Sequence, residues 1–341
     1  MSTKFKNPRA KFDFQGRTCS ITGVGAYVPE RILTNAELEK LVDTSDEWIT
    51  TRTGIKERHM AAKDEFTSDM AAKAAQRAMK MAGVTASQID LIIVATITPD
   101  MPFPATACFV QQKIGAKRAA AFDLEAACSG FIYGLEIGQQ FVMSRTYDTV
   151  LVIGAEKLSA ITDWQDRNTC VLFGDGAGAA VLQNRENSHG LLTAVMGADG
   201  GKANLLFMPA GGSRCPASKD SVDARMHFLR MEGKETFKNA VQAMCSAAQE
   251  VLRRCELDIT RIKCVIPHQA NRRIIDAVGN RLGATPEQMF INVHRYGNTS
   301  AASVAIALDE AVASGKIQRG DLILLVVFGA GLTWGAAVIE W

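Results

Sequence analysis

One order of elements is written twice along this chain, and no other feature of the sequence restricts the fold so far. A strongly apolar run at 89–98 is followed by a strand entering a helix around Cys128. A second apolar run at 149–154, a glycine-rich turn and a closing strand at 179–182 complete the first half. The same order returns as 262–266, a strand-to-helix junction around Asn298, 322–328, another glycine turn and 336–339. Runs this apolar suit strands covered on both faces, and helical patterns between them indicate parallel pairing. A duplicated α/β unit places equivalent junctions side by side at a pseudo-twofold axis, where strands end and ligands bind. Cys128 and Asn298 occupy equivalent junctions on this reading. His268 follows the strand at 262–266, so the three residues can converge.

Length and composition set the outer limits. With 341 residues, 47% hydrophobic and 22% charged, the chain can bury a large α/β core. A net charge of +2 carries no global bias toward nucleic acid or a membrane surface. Eight cysteines without a C-x-x-C pair argue against a metal site or disulfide framework, and for reduced thiols in the cytoplasm. Residues 1–17 read as a disordered polar tail, 18–197 as an N-terminal half with Cys128, and 198–341 as a C-terminal half with His268 and Asn298. Residues 322–339 carry no charge and are long enough for a membrane span, yet Gly329, Gly331 and Gly335 make strand, turn and strand the better reading.

Several residues invite chemistry. Cys128 sits at or near a helix N-terminus, where free N–H groups and the helix dipole favour a thiolate nucleophile. The competing reading is a buried structural cysteine. In the segment 44–60, Trp48, Arg52, Lys56 and Arg58 combine an aromatic face with cations that suit an adenine and phosphates. A solvated helix end with a core tryptophan explains the same residues. Gly23 and Gly25 lack the third glycine of a dinucleotide loop and read as a close-packed strand. The Gly-Asp-Gly-Ala-Gly run reads as a tight turn whose Asp175 binds backbone N–H groups. A proline-rich loop displays Met101 and Phe103, as a pocket lid or subunit contact does. If Cys128, His268 and Asn298 meet, the thiolate can take an acyl group while His and Asn stabilise an enolate. A cysteine peptidase uses the same three residue types with His bonded to Asn, and the sequence leaves that geometry open.

In these motifs the chain resembles the β-ketoacyl-acyl carrier protein synthase III family of the thiolase superfamily. The resemblance runs from about Thr18 to Trp341. It rests on Cys128 in Ala-Ala-Cys-Ser-Gly-Phe, His268 in Pro-His-Gln-Ala-Asn, Asn298 in Tyr-Gly-Asn-Thr-Ser-Ala-Ala-Ser, and the glycine run from Gly174. It implies a five-layered αβαβα fold, a homodimer and a cytoplasmic enzyme of fatty acid synthesis with no cofactor beyond its thioester substrates. An acyl-CoA would acylate Cys128, and malonyl-acyl carrier protein would then condense with the acyl group. His268 and Asn298 would hold the malonyl thioester oxygen, and the N–H groups of Cys128 and Ala330 would hold the oxyanion at the acyl group. Trp48 and Arg167 resemble the pair around the CoA adenine, Arg52 and Thr44 its neighbours, and Phe103 the residue that enters the partner's acyl pocket. Arg273 and Lys238 match basic contacts to the carrier protein. The chain departs from the family in reading Gly-Ala-Gly at the last turn and Lys234 where Asn is usual. A synthase of a specialised pathway with a longer primer, or a non-catalytic acyl-binding homologue, remains as the alternative.

Overall fold

Period-2 alternation along the buried strands sorts the side chains into layers. On Thr149–Glu156, Val150 and Val152 enter one apolar cluster while Leu151 and Ile153 enter another. On Leu322–Gly329, Ile323, Leu325 and Val327 join the first of these clusters, while Leu324, Val326 and Phe328 join a third. The two sheets therefore share one inner core and each has an outer one. The computed structural model describes residues 18–185 and 190–341, so the expected tail at 1–17 lies outside the described residues.

Two helices fill the middle layer, Gly130–Met143 through Phe131, Ile132 and Leu135, and Ala302–Ala313 through Val304, Ala307 and Leu308. The alanine face of Thr67–Ala82 covers the first sheet from outside, with Ala71, Ala74, Ala75 and Ala78 against Ile92 and Val94. Gly233–Arg254 and Arg272–Leu282 cover the second. The result is the expected αβαβα architecture.

The first sheet has the order Cys19–Tyr27, Gly176–Asn184, Thr149–Glu156, Leu91–Ala95, Ala120–Leu124, with the last three mutually parallel. The second runs Cys264–Pro267, Leu322–Gly329, Thr333–Glu340, Leu191–Ala198. Leu191–Ala198, which the sequence reading places in the first half up to residue 197, pairs with Thr333–Glu340 in the second sheet.

One correction concerns the strand expected to begin at 291–293. Its counterpart in the first half is Ala120–Leu124, yet here only one parallel bridge forms, between Val265 and Met289, and Val293 opens a short helix. The side chain of Gln269 explains the loss. Its oxygen accepts the N–H groups of Asn292 and Val293, and its nitrogen donates to Pro267 O and Phe290 O. Backbone groups that a ladder would use are thereby satisfied by one side chain.

Gly23 and Gly25 are close-packed as expected. A Cβ on either would lie 2.4 Å from the backbone of Ala78 on the covering helix. Asp175 accepts from the N–H groups of Ala61 and Ser159 and from the Ser159 hydroxyl.

Candidate active site

Cys128 lies in the single 3-10 turn Ala127–Ser129 that joins the strand Ala120–Leu124 to the helix Gly130–Met143. The chain turns there through a left-handed residue, Ala127 at φ 46°, a conformation that costs a side chain about 1 kcal/mol and turns the next residue sharply. The second half repeats the device at Ser300, φ 47°, just before the helix Ala302–Ala313. The matched elbows refine the expected equivalence: Ala127 corresponds to Ser300, so Cys128 corresponds to Ala301, and Asn298 stands three residues earlier. Each elbow rests on a glycine of the opposite sheet. A Cβ on Gly329 would fall 2.7 Å from Cys128 N, and one on Gly154 would fall 2.2 Å from Ala301 O. The Thr333 hydroxyl lies 3.0–3.1 Å from Ala126 O, Ala330 O and Ser129 Oγ, and so ties the turn containing Ala330 to the elbow.

Asn298 is clamped by the other half of the molecule. Its N–H donates to Leu172 O and its carbonyl accepts the Gly174 N–H, at 2.8 and 3.0 Å. The N–H of Ser300 donates to Asn298 Oδ1 at 2.9 Å, which fixes the amide so that Nδ2 is left as the donor. His268 follows Cys264–Pro267 and donates its N–H to Val326 O. Its Nδ1 is 2.9 Å from Ser303 Oγ, and that oxygen also accepts the Gln269 N–H. With Ser303 donating to Nδ1, the ring hydrogen sits on Nε2. Burial drives the imidazole down to about 4, so the ring is neutral near pH 7. His268 and Asn298 thus each engage a serine, and the His–Asn hydrogen bond that a cysteine peptidase needs is not the one formed.

Cys128, His268, Asn298 and Gly329 line one cavity of about 800 Å³ that also holds Trp48, Arg52, Phe237 and Arg273. The sequence argument from the helix N-terminus meets an opposing effect here. Cys128 is 7% exposed, and desolvation pushes its thiol up to about 12. The resting residue is therefore a thiol, and its proton needs an acceptor at the moment of attack.

Toward the cavity mouth, the guanidinium groups of Arg52 and Arg167 each lie 4.8 Å from the centre of the Trp48 ring. Ser45 caps the helix Asp46–Thr53 that presents Trp48 and Arg52. Thr44 Oγ1 is buried with no hydrogen-bond partner, so a polar ligand atom there would satisfy it. Arg58 departs from the expected cationic cluster. It is fully buried and donates to Leu33 O, Asn35 Oδ1 and Val171 O, a structural role. Exposed Lys238 and Arg273 stand on the two outer helices, with Arg273 5.9 Å from the Phe237 ring. Phe103 lies away from this cavity, in the loop before Thr106–Ile114, and is 83% exposed.

Sequence reasoning passed over Glu156, Ser300 and Ser303. The available signals were a carboxylate ending an otherwise apolar strand and two serines in the motif that carries Asn298.

The 3-oxoacyl-[acyl-carrier-protein] synthase III profile matches residues 122–200, and the profile of its C-terminal region matches 252–341. The β-ketoacyl-[acyl-carrier-protein] synthase III of Caldanaerobacter subterraneus subsp. tengcongensis is 59% identical over 94% of this chain and 97% of its own length. The chain belongs to the β-ketoacyl-[acyl-carrier-protein] synthase III family. As a synthase III it is a condensing acyltransferase. The synthase III of Symbiobacterium thermophilum is 55% identical over 95% of the chain and 98% of its own length. Among solved structures, the synthase III from Aquifex aeolicus superposes with a TM-score of 0.88 at 49% identity, covering 95% of this chain and all of that one. The priming β-ketosynthase of the R1128 polyketide pathway also reaches 0.88, at 37% identity, covering 95% of this chain and 96% of that one. Among the described residues no helix is long and apolar enough to cross a membrane.

Proposed function

We propose that this synthase initiates fatty acid synthesis in the cytoplasm by transferring an acyl group, acetyl in the simplest case, from CoA to Cys128 and condensing it with malonyl-acyl carrier protein. The observation that carries the reading is the arrangement of donors around Cys128: a neutral His268 and an Asn298 amide with its oxygen already occupied, in one cavity with the thiol. Two neutral donors aimed at one oxygen stabilise an enolate. A malonyl thioester yields that enolate on losing carbon dioxide, so no strong base is called for.

Acyl-CoA enters past Trp48, with Arg167, Arg52 and Thr44 around the adenine and phosphates. The Cys128 sulfur attacks the thioester carbonyl, whose developing oxyanion meets the N–H groups of Cys128 and Ala330. CoA leaves, malonyl-carrier protein docks on Arg273 and Lys238, and His268 and Asn298 receive the thioester oxygen as carbon dioxide departs. The enolate carbon then attacks the acyl-Cys128 carbonyl and releases a 3-oxoacyl-carrier protein. Phe103, an apolar ring standing in solvent, supports a homodimer in which it enters the partner's acyl pocket.

Intact-protein mass spectrometry after incubation with acetyl-, branched- and medium-chain CoA tests the reading. Rapid acetylation in the wild type and none in Cys128→Ala is expected. Acylation by long chains alone would shift the function to a specialised pathway, and no acylation at all would refute it.

A further inference from the structure

Arg58, on the short strand Glu57–Met60, is fully buried, and no carboxylate bonds to it among the described residues. Burial pulls its guanidinium down to about 10, so it keeps its charge at neutral pH. An uncompensated charge in a core is costly, and a methionine would fill the same space at less cost. Its three hydrogen bonds show what the charge holds. Nη1 donates to Asn35 Oδ1 at 2.8 Å and to Leu33 O on the neighbouring strand at 3.3 Å, while Nη2 donates to Val171 O at 2.6 Å.

Val171 immediately precedes the clamp on Asn298. The next carbonyl, Leu172 O, accepts the Asn298 N–H, and the Gly174 N–H donates to Asn298 O, so that Phe173 and Asn298 form an isolated parallel bridge. Arg58 also packs against the glycines beside that bridge. A Cβ on Gly174 would lie 3.1 Å from the Arg58 Cβ, and one on Gly297 would lie 3.3 Å from it. The other arm leads to the cavity mouth. Asn35 is itself buried, and its Nδ2 donates to Asp46 Oδ1 at 2.7 Å and to Ile55 O at 2.9 Å. These two acceptors bracket the helix Asp46–Thr53 that presents Trp48 and Arg52.

We propose that Arg58 is a positioning residue that holds the Trp48 helix and Asn298 in register with each other, one arm of its guanidinium serving each. The inference rests on the acyl-transfer and condensation reading above. Cys128 and His268 have holders of their own. The cysteine elbow rests on Gly329 and is tied by Thr333, and the histidine is held by Val326 and Ser303. Arg58 therefore acts on the entrance and on the condensation donor and leaves the nucleophile alone. A planar fork can donate to acceptors on two different segments at once, which the compact, strongly hydrated ammonium of a lysine does poorly.

Two assays on the full-length protein read the arms separately: acetylation of Cys128 over a range of acetyl-CoA concentrations, and condensation of the pre-acetylated enzyme with malonyl-carrier protein. Arg58→Lys should raise KM for acetyl-CoA at least fivefold and lower the condensation kcat at least tenfold, with the acetylation kcat within threefold of wild type. Asn35→Ala, which cuts only the arm to the Trp48 helix, should raise KM for acetyl-CoA at least threefold and leave the condensation kcat within twofold. A residue that merely filled the core would lower both kcat values by one shared factor, the fraction of protein misfolded, and leave KM unchanged. That pattern in Arg58→Lys, or a wild-type KM in Asn35→Ala, would overturn the proposal. Arg58→Gln carries the same expectation as a neutral second variant, and should neither Arg58 variant fold, the KM of Asn35→Ala decides. Amide hydrogen exchange tests the same claim without a thioester. In Arg58→Lys the segments 46–53 and 296–300 should exchange at least tenfold faster while Leu322–Gly329 keeps its protection, and uniform acceleration or none would contradict the proposal. If the wild type is not acetylated by any acyl-CoA, the acyl-transfer reading itself fails, and the exchange pattern still decides the role of Arg58.

Discussion

His268 and Glu156, buried beside the Cys128 elbow, are pushed by the same desolvation in opposite senses. His268 falls from 6.5 to about 4, so between those values the unfolded chain binds the extra proton and stability rises with pH. Glu156 rises from 4.5 to about 7, so across that span the native protein holds the extra proton and stability falls as pH rises. Each slope integrates to roughly 3 kcal/mol, and over their shared range they offset one another. Glu156→Gln removes the falling component. The melting temperature of that variant minus that of the wild type should climb from pH 4.5 to 7, and a flat difference would show that Glu156 is not protonated in the native state. Ser303 acts on the same histidine from the other side. Ser303→Ala frees the ring to change tautomer and should slow condensation about tenfold while acyl transfer to Cys128 changes little, read by assaying the two half-reactions separately.

Among the secondary-structure elements, the site depends on two elbows that each press on a glycine of the opposite sheet. Gly329→Ala would drive a methyl group to 2.7 Å from Cys128 N and crowd the position of the acyl oxyanion. Acyl transfer should fall about a hundredfold, the usual cost of losing one oxyanion donor. Gly154→Ala instead meets Ala301 O at 2.2 Å, next to Ser300, and should cost about 1–3 kcal/mol of stability and impair condensation more than transfer. Thermal melts together with half-reaction rates separate these outcomes, and identical losses in the two variants would contradict the reciprocal arrangement. The elbows were not legible in the sequence, because alanine and serine carry no mark of a positive φ. The missing strand near 291–293 was equally hidden, since the side chain that replaces its ladder, Gln269, lies more than twenty residues away. The strands at 149–154 and 322–328 were plain, because strands buried on both faces leave an unbroken apolar run.

Over the whole molecule, the duplicated order of elements predicted the meeting of Cys128, His268 and Asn298 in one cavity, since topology carries strand ends together, while the layered fold came from the family resemblance. Charge was harder to read. Arg58 and Arg52 look alike in sequence, but one is fully buried beneath backbone carbonyls and the other opens onto the cavity. A net charge of +2 likewise conceals exposed Arg273, which lines the cavity, and exposed Lys238. Arg273→Ala combined with Lys238→Ala should weaken carrier-protein binding tenfold or more at low salt, with a smaller effect at high salt, and leave acyl-CoA binding within twofold. Titration calorimetry at two ionic strengths reads this directly, and equal weakening of both ligands would argue against a separate docking surface. The central claim is a division of labour, in which Cys128 carries the acyl group and Asn298 serves only the condensation. Its most direct measurement is the pair of half-reaction rates in Asn298→Ala. The account predicts acyl transfer from CoA within a fewfold of wild type and condensation with malonyl-carrier protein reduced at least a hundredfold, and equal loss of both steps would contradict it.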